Sequence, residues 1–374
     1  TEVTGISIDS RTTAPGNLFI AVQGTAQDGM AFVPQALEAG AAALVVSIYN
    51  PFIKQPQILC DQPQLLIAPL AAAYYRNPSK ALWIAGITGS KGKTTSCYLL
   101  HHLLSQIQGP CGLVSTVEKI ILDRRIPSQL TTHDAVANQK TLREMADRGC
   151  SSAVLEVSSH GLAQGRVDAI EFDLALFTNL YPDHLDYHHT IEAYAQEKAK
   201  LFEMAPIGIY NADNPWTPFM QKEKKGITFG LENKADVMAT SVILSEQRTS
   251  FVVDGEHFQV PLMGKFNVYN VLGAIAVGRF LGVPLPRLSS IFAQVPPIPG
   301  RLEAVPNSLQ IHVWIDYAHT GESLAQVLQA LREVCRGRII VVFGAGGGRD
   351  AARRSEMGKA SNLADIAIVT LDNC

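Results

Sequence analysis

The chain has 374 residues, of which 47% are hydrophobic and 17% charged, and its net charge is −3. The length predicts two or three domains, and the net charge argues against a nucleic-acid surface, which needs excess basic residues. No apolar run approaches about 18 residues, so no membrane span is predicted, and the first residues contain no basic-then-apolar leader. Six scattered cysteines without a C-x-x-C pair are typical of reduced thiols in a cytosolic protein.

Residues 1–80 are predicted to form a small α/β domain. Strands are predicted at residues 18–22 and 42–47, with a helix at residues 32–39 between them. The sequence starts without methionine and stops directly after a strand-like run. We therefore interpret it as a piece of a longer protein.

The stretch 84–95 reads I-A-G-I-T-G-S-K-G-K-T-T and is predicted to bind phosphate. It follows an apolar run and precedes a helical apolar pattern at residues 99–104, which is the strand–turn–helix context of a phosphate loop. Glycines let backbone amides surround phosphate oxygens, Lys93 would reach the β- and γ-phosphates, and Thr94 would contact Mg²⁺. The strict pattern has glycine where Ile87 stands. A surface turn rich in glycine and lysine is the alternative.

Residues 81–298 are predicted to form a central domain in which strands and helices alternate. This alternation is typical of a parallel, doubly wound sheet. The predicted strands are 153–157, 174–178 and 207–211, the helices are 135–147, 191–204 and 267–281, and a β-rich patch covers 237–261. The proline-rich stretch 295–300 is predicted to be a linker. The third α/β domain, 299–374, is predicted to contain strands at 311–316, 339–343 and 366–370 and a helix at 323–334.

Glu156 lies at the end of the apolar strand A-V-L-E-V. In a doubly wound sheet, ligands gather at the carboxyl ends of the strands, and a carboxylate there can hold Mg²⁺ beside a nucleotide. A solvated loop glutamate is the alternative. The neighbouring phosphate loop favours the metal role.

A dense polar segment follows the next predicted strand. Within seven residues it contains Asp183, His184, Asp186, His188 and His189. Histidine is the commonest ligand for transition metals, whereas Mg²⁺ prefers oxygen ligands. On composition, a metal site and a loop with internally satisfied side chains are equally compatible with this segment. Lys198, on the following helix, is by itself typical of a solvated helix-face lysine.

Taken together, the motifs resemble those of the Mur ligase family. In chain order they are D-S-R, G-N-L-F-I-A-V-Q-G, T-G-S-K-G-K-T-T, E-V-S-S-H-G-L, T-N-L-Y-P-D-H-L-D-Y-H, M-G-K-F-N-V-Y-N, P-G-R-L-E and D-Y-A-H-T. The resemblance runs from about residue 6 to the end, and the ordered set is more specific than any single motif. It implies a UDP-sugar-binding domain at 1–80, an ATP-binding ligase domain at 81–298 and the start of an amino-acid-binding domain at 299–374.

The resemblance implies an ATP-dependent amide ligase of peptidoglycan precursor synthesis. A substrate carboxylate would attack the γ-phosphate of ATP to give an acyl phosphate and ADP, and the amine of an amino acid would then displace phosphate. The most similar members add the third amino acid, meso-diaminopimelate, to UDP-N-acetylmuramoyl-L-alanyl-D-glutamate. Lys93, Mg²⁺ and Arg301 would offset the charge on the transferred phosphoryl group.

The resemblance also implies two Mg²⁺ ions and a modified lysine. One ion would lie beside Thr94 and Glu156, and the other would be held by Glu156, His184 and a carbamylated Lys198. Carbamylation turns an ammonium into an oxygen donor, which explains how a lysine could serve a hard cation. The catalytic residues implied are Lys93, Lys198, His184 and Arg301.

The binding residues are implied by matching motif positions. For ATP they are Gly89, Ser90, Lys91, Gly92, Lys93, Thr94, Thr95, Asn267, Asn270, Arg301 and Asp316. For the UDP-muramoyl dipeptide they are Ile8, Ser10, Thr25, Ala26, Gln27, Thr131, Thr132, Ser158, Gln164 and Arg166. For the added amino acid they are Arg349, Asp372 and Asn373. Each has a plainer alternative, such as a helix cap for the two asparagines or a surface role for Arg301.

Three motif positions depart from the family pattern. The D-N-P-R of members that add meso-diaminopimelate is here Asp372-Asn373-Cys374, after which the sequence ends, so the arginine that grips the distal carboxylate is out of view. Y-A-H-T-P has Gly321 in place of proline, and G-D-R-D has Gly348 in place of its aspartate. The sequence leaves open another Mur ligase, a folylpolyglutamate synthetase, or a nucleotide-binding module without turnover. We expect a cytoplasmic monomer that uses small-molecule substrates and binds neither nucleic acid nor membrane.

Overall fold

A computed structural model describes residues 2–24, 27–222, 224–309, 311–345 and 351–371. The N-terminal elements are β1 Gly5–Ser7, β2 Asn17–Ile20, α1 Val33–Glu38, β3 Ala43–Val46, β4 Gln57–Leu59 and α2 Gln64–Tyr74. The four strands form one parallel sheet in the order β1-β2-β3-β4. Predicted strand 18–22 ends early, at Ile20, and Gln23 instead forms an isolated antiparallel bridge with Asp28.

The central elements alternate as predicted. The strands are β5 Trp83–Thr88, β6 Cys111–Val114, β7 Glu118–Ile121, β8 Arg124–Pro127, β9 Ser152–Glu156, β10 Leu174–Phe177, β11 Ile207–Asn211, β12 Ile227–Gly230, β13 Val237–Leu244, β14 Thr249–Val253 and β15 Glu256–Val260. The helices are α3 Lys93–Ile107, α4 Ala135–Asp147, α5 Ser159–Ala163, α6 Leu185–His188, α7 Ile191–Met204, α8 Thr217–Met220, α9 Lys265–Phe280 and α10 Leu285–Phe292.

One mostly parallel sheet of 11 strands organises this region, in the order β15-β14-β13-β12-β11-β10-β5-β9-β6-β7-β8. Its middle is parallel, and antiparallel hairpins extend both edges. The predicted β-rich patch forms the three antiparallel strands β13, β14 and β15 at one of these edges. Strands β5, β9 and β10 lie side by side, so their carboxyl ends, which carry the phosphate loop, Glu156 and the polar segment, share one edge. The predicted doubly wound α/β class is confirmed.

Both faces of the middle strands β5, β9 and β10 are buried, which explains why these strands read as continuous apolar runs. Ala85 and Ile87 of β5 pack with α3 and α9 in one core, while Ile84 faces a second core with α4 and α7. Because side chains alternate along a strand, one strand serves both cores. The two cores hold the carboxyl edge of the sheet rigid.

The C-terminal elements are β16 Glu303–Ala304, β17 Trp314–Ile315, α11 Gly321–Val334, β18 Ile340–Phe343, α12 Ala351–Ser361 and β19 Ile366–Val369. Strands β18 and β19 pair in parallel and β16 and β17 antiparallel. Predicted strand 311–316 is wrong in length, since pairing with the two-residue β16 limits it to Trp314–Ile315. Within the described parts of the chain, no helix is long and apolar enough to cross a membrane.

A partly buried histidine in α3 predicts a pH dependence of stability. Burial lowers the pKa of His101 from 6.5 to about 4. The unfolded chain therefore binds a proton between these pH values that the folded chain does not, so stability is lost as the pH falls from about 6.5 towards 4. We expect His101→Gln to reduce the loss between pH 7 and pH 5 by up to about 2 kcal/mol.

Urea unfolding at both pH values would measure this difference. His257→Gln, at an exposed position of the edge strand β15, controls for the replacement of a histidine side chain. The same loss in the parent and in His101→Gln would contradict the assignment.

Candidate active site at the carboxyl edge of the central sheet

The predicted phosphate loop joins β5 to α3. Gly89 and Gly92 adopt positive φ values of 150° and 81°. A side chain at Gly89 would place its Cβ 1.9 Å from Thr178 Oγ1, and one at Gly92 would lie 2.4 Å from Asn270 Oδ1. Both positions therefore require glycine, because the backbone conformation and the close neighbours leave no room for Cβ.

Lys93 begins α3 and folds back over the loop. Its Nζ donates hydrogen bonds to the carbonyl oxygens of Gly89 and Ser90, both at 3.0 Å. Burial lowers the pKa of this ammonium, and the nearby Glu156 carboxylate opposes the shift. The lysine thus lies where a phosphate held at the start of α3 would meet it.

Glu156 is buried, with 3% of its surface exposed, so the solvated alternative is wrong. Thr94 Oγ1 lies 3.2 and 3.0 Å from its two carboxylate oxygens. The Thr116 N–H donates to Oε2 at 2.9 Å. This carboxylate therefore faces the phosphate loop, and a carboxylate beside a hydroxyl is the oxygen-donor chemistry that Mg²⁺ prefers.

Lys198 is 1% exposed, which a solvated helix-face lysine would not be. Its Nζ donates to the carbonyl oxygen of Gly89 at 2.8 Å and lies 4.5 Å from the ring centroid of Tyr194. Lys93 donates to the same carbonyl oxygen. Burial, together with the charge of Lys93, holds the pKa of Lys198 well below its usual value. The α7 helix therefore places the Lys198 amine in contact with the phosphate loop.

His184 opens α6 with a left-handed backbone, φ 55°. Burial lowers the pKa of its imidazole to about 4, against the opposing charge of Asp183. A neutral imidazole at physiological pH retains the lone pair that a metal ligand needs. The ring lies edge-on to His160, with 4.9 Å between centroids.

A group of rings around His160, to which we assigned no individual roles, supports His184. His160 also packs against Tyr187 at 4.3 Å and His188 at 5.4 Å between ring centroids. His188 Nε2 lies 2.9 Å from Ser159 Oγ, and both residues are buried. These contacts fasten the loop that carries Glu156 to the segment that carries His184.

Arg301 reaches the site from beyond the linker. Its Nη2 donates to Thr94 Oγ1 at 2.8 Å, and its guanidinium lies 5.2 Å from the ring centroid of Tyr317. A cavity of about 310 Å³ opens here between the central sheet and the C-terminal elements. Predicted residues that line it are Ser90, Lys91, Gly92, Lys93, Thr94, Thr95, Thr131, Glu156, Ser158, His184, Asn270, Arg301 and Asp316.

Asp316 and the two asparagines are held by the protein itself. The Asp316 carboxylate accepts the N–H groups of Leu302 and Ala318 at 2.9 and 2.8 Å, which fixes the chain just after the linker. Asn270 donates to Asn267 Oδ1 at 3.0 Å, and Asn267 donates in turn to a backbone carbonyl. Asn270 lines the cavity. Asn267 does not line it, but its side chain orients that of Asn270.

The residues predicted to hold the muramoyl dipeptide form one connected group. Arg166 donates to Gln164 Oε1 at 3.0 and 2.6 Å and to the Thr132 carbonyl at 2.6 Å. Thr131 Oγ1 accepts a bond from Thr116 at 2.9 Å, and Ser158 Oγ caps α5. Thr131 and Ser158 reach the cavity, while Thr132 is buried and holds the surrounding backbone.

The other predicted residues lie elsewhere. Ile8, Ser10 and Gln27 belong to the N-terminal unit and do not line the cavity, and Ser10 Oγ donates to Gln35 Oε1 at 2.7 Å. Thr25 and Ala26 lie outside the described residues. The same holds for Arg349, Asp372 and Asn373.

Sequence reasoning assigned no role to Thr116, Asn179 or Asp183 individually. Thr116 is bonded to Glu156 and Thr131, Asn179 to the phosphate loop, and Asp183 to the Lys91 ammonium at 3.2 Å. Position at the end of a central strand was the available signal for Asn179. Thr116 gave none, since it lies in an unremarkable turn after β6.

A phosphate loop at the carboxyl edge of a parallel sheet, with an arginine reaching it from another unit, defines a nucleotide-dependent α/β enzyme. Family models match the whole arrangement. The Mur ligase family, catalytic domain, matches residues 2–82, the Mur ligase middle domain residues 87–278, and the Mur ligase, glutamate ligase domain, residues 300–373. The chain belongs to the Mur ligase family, and it is an ATP-dependent ligase.

Curated relatives include two UDP-N-acetylmuramoyl-L-alanyl-D-glutamate--2,6-diaminopimelate ligases. The one from Caldanaerobacter subterraneus subsp. tengcongensis is 39% identical, and the one from Chlamydia abortus 42% identical. Both alignments cover 100% of this chain and 79% of the relative.

Solved structures agree with this assignment. A ligase of the same name is 32% identical with a TM-score of 0.77, covering 99% of this chain and 79% of that one. A MurF ligase from Thermotoga maritima in complex with ADP has a TM-score of 0.72 at 20% identity, covering 99% of this chain and 84% of that one. At that identity the second likeness shows the fold alone.

Proposed function

We propose that this protein joins the amino group of meso-diaminopimelate to the D-glutamate of UDP-N-acetylmuramoyl-L-alanyl-D-glutamate. The substrate carboxylate takes the γ-phosphoryl group of ATP, giving an acyl phosphate and ADP. The amine then attacks the acyl carbon, and phosphate leaves as the amide forms. Relatives named for this reaction, at 39% and 42% identity along the whole chain, support the proposal.

The convergence of three elements on Thr94 is the structural observation that carries this proposal. Thr94 lies in the first turn of the phosphate-binding helix α3, Glu156 ends the strand β9, and Arg301 comes from the C-terminal elements. Lys93 and Arg301 bring two basic side chains to the same cavity. Charge that develops on a transferred phosphoryl group is stabilised by such preorganised cations, which also hold the reacting groups in line.

The residues present fit Mg²⁺. Thr94 and Glu156 would hold one ion, and Glu156, His184 and a carbamylated Lys198 a second, all through oxygen donors or a neutral imidazole. Bound Mg²⁺ would neutralise phosphate charge. Burial lowers the pKa of Lys198 and so favours the free amine, the form that adds to CO₂ to give a carbamate and a proton.

We assign the remaining binding roles by unit. Residues 1–80 bind the UDP moiety through Ile8, Ser10 and residues 25–27, and residues 81–298 bind ATP and the dipeptide. Residues 299–374 contribute Arg349, Asp372 and Asn373 to the added amino acid. The protein acts as a monomer in the cytoplasm, where ATP and nucleotide-linked sugars are available.

Release of ADP by the full-length protein is the decisive measurement. We expect release to require both UDP-N-acetylmuramoyl-L-alanyl-D-glutamate and meso-diaminopimelate, with little release when L-lysine replaces the latter. ADP release independent of both substrates would contradict the ligase reaction, and its absence with all of them would support a nucleotide-binding module without turnover.

Arg166→Ala is expected to weaken the dipeptide substrate specifically. The guanidinium is oriented by Gln164 and the Thr132 carbonyl, and charge-assisted bonds to a carboxylate are worth about 1.5–3 kcal/mol, roughly tenfold or more in affinity. Calorimetry should show that loss for the UDP-muramoyl dipeptide, with ATP affinity within about twofold. Arg287→Ala, at an exposed site on α10, is the control. Equal losses for both ligands would contradict the assignment.

A further inference from the structure

Asn179 follows β10 and runs alongside the phosphate loop. Its side-chain Oδ1 accepts the N–H of Lys91 at 2.9 Å, and its Nδ2 donates to the Lys91 carbonyl at 3.1 Å. One carboxamide therefore satisfies both peptide groups of a single loop residue. The Asn179 carbonyl also accepts the N–H of Ser90 at 2.8 Å.

Neighbours of Asn179 complete this attachment. Thr178 Oγ1 donates to the Lys91 carbonyl at 2.7 Å. The Ser90 hydroxyl accepts the Tyr181 N–H at 2.9 Å and lies 3.1 Å from the Tyr181 carbonyl. The N–H groups of Ser90 and Lys91 are thus already engaged, so a phosphate must rely on the unpaired amides at the start of α3.

The same segment leads directly to the proposed metal ligand. Asn179 lies five residues before His184. Asp183, beside that histidine, accepts the Lys91 ammonium at 3.2 Å, so Lys91 is held by its backbone at Asn179 and by its side chain at Asp183. These contacts tie the phosphate loop to the segment that carries His184.

We propose that Asn179 is a positioning residue that sets the distance between the phosphate-binding start of α3 and His184. This inference rests on the proposed function, because the distance matters only when phosphoryl transfer uses both the start of α3 and His184. We expect ADP binding to depend on the start of α3 and not on the position of His184. Turnover requires the correct distance between the start of α3 and His184. A misplacement of about 1 Å can cost on the order of 100-fold in rate.

We expect Asn179→Ala to lower kcat by about 10- to 100-fold while the Kd for ADP changes less than about threefold. The affinity for Mn²⁺ in the presence of ADP, measured by electron paramagnetic resonance, should fall by about threefold or more, because His184 is displaced. Asn179→Asp keeps one acceptor but points a second oxygen at the Lys91 carbonyl, so we expect it to show the same pattern. This variant also serves if the alanine protein does not fold.

Asn214→Ala is the matched control. Asn214 is a buried asparagine whose side chain donates to the Leu180 carbonyl at 3.4 Å and accepts the Trp216 N–H at 3.1 Å, without reaching the phosphate loop. It should lower the midpoint of thermal unfolding comparably and leave kcat within about twofold, since it loses a similar pair of bonds.

Failure of the positioning role and failure of the proposed function give different experimental results. Unchanged kcat in Asn179→Ala, or equal losses in kcat and ADP affinity, would overturn the positioning role. If the parent protein does not turn over at all, the proposed function fails, and the Mn²⁺ measurement still decides on Asn179, because an unchanged metal affinity would refute the coupling.

Discussion

Lys93→Ala should reduce ATP-dependent turnover by at least about 100-fold without lowering the thermal stability appreciably. Loss of one preorganised donor to a developing charge typically costs 10²–10³ in kcat, that is about 2.7–4 kcal/mol. This ammonium donates to the Gly89 and Ser90 carbonyls, and Lys93 is not a member of either hydrophobic core of the central sheet. Steady-state ADP release and a thermal melt of both proteins give the two quantities.

Lys80→Ala is the control for Lys93→Ala. Lys80 is exposed and 3.9 Å from Glu171, so its loss should leave both turnover and stability unchanged. Parent-like turnover in Lys93→Ala with an unaltered melt would remove the phosphate loop from the proposed mechanism.

The phosphate loop was predictable because its signals are local. An apolar strand, glycines at two strained positions and an apolar helix adjoin one another in sequence, and the structure has them as β5, the turn at Gly89 and Gly92, and α3. The proximity of Glu156 followed from a rule of topology, because parallel neighbours place their carboxyl ends together. Strand lengths depended on partners, which explains the error at residues 311–316.

The contacts of Lys198 could not be predicted from the sequence pattern. Its spacing from the apolar residues of α7 places it beside the buried stripe, but the pattern does not reveal the Gly89 carbonyl that receives its Nζ. The contact joins residues 109 positions apart. Arg301 is 207 positions from Thr94, and only the family resemblance pointed to it. The role of Asn179 was also not predictable, because the sequence does not indicate which hydrogen-bond partner a loop asparagine will have in the folded protein.

Lys198→Ala should reduce turnover by about 100-fold or more, and acetate or formate should restore part of it. A bare ammonium and a carbamate at this position carry opposite charges, so they predict opposite effects of an added carboxylate on the alanine variant. Were the ammonium the working form, an added anion would not replace it. If the carbamate supplies metal-binding oxygens, a small carboxylate can enter the vacated space beside Lys93 and supply them instead.

Bicarbonate dependence and a side-chain control make the Lys198 test specific. Depleting CO₂ should lower the turnover of the parent protein and leave Lys198→Ala unaffected, because only the parent can form the carbamate. Lys200→Ala, on the same helix with its side chain 43% exposed and paired with Glu197, should retain normal turnover and show no response to acetate. Full activity of Lys198→Ala would refute the carbamate. So would a crystal map with Mg²⁺ and nucleotide bound that shows a bare amine, since the buried amine would then serve only to hold the Gly89 carbonyl.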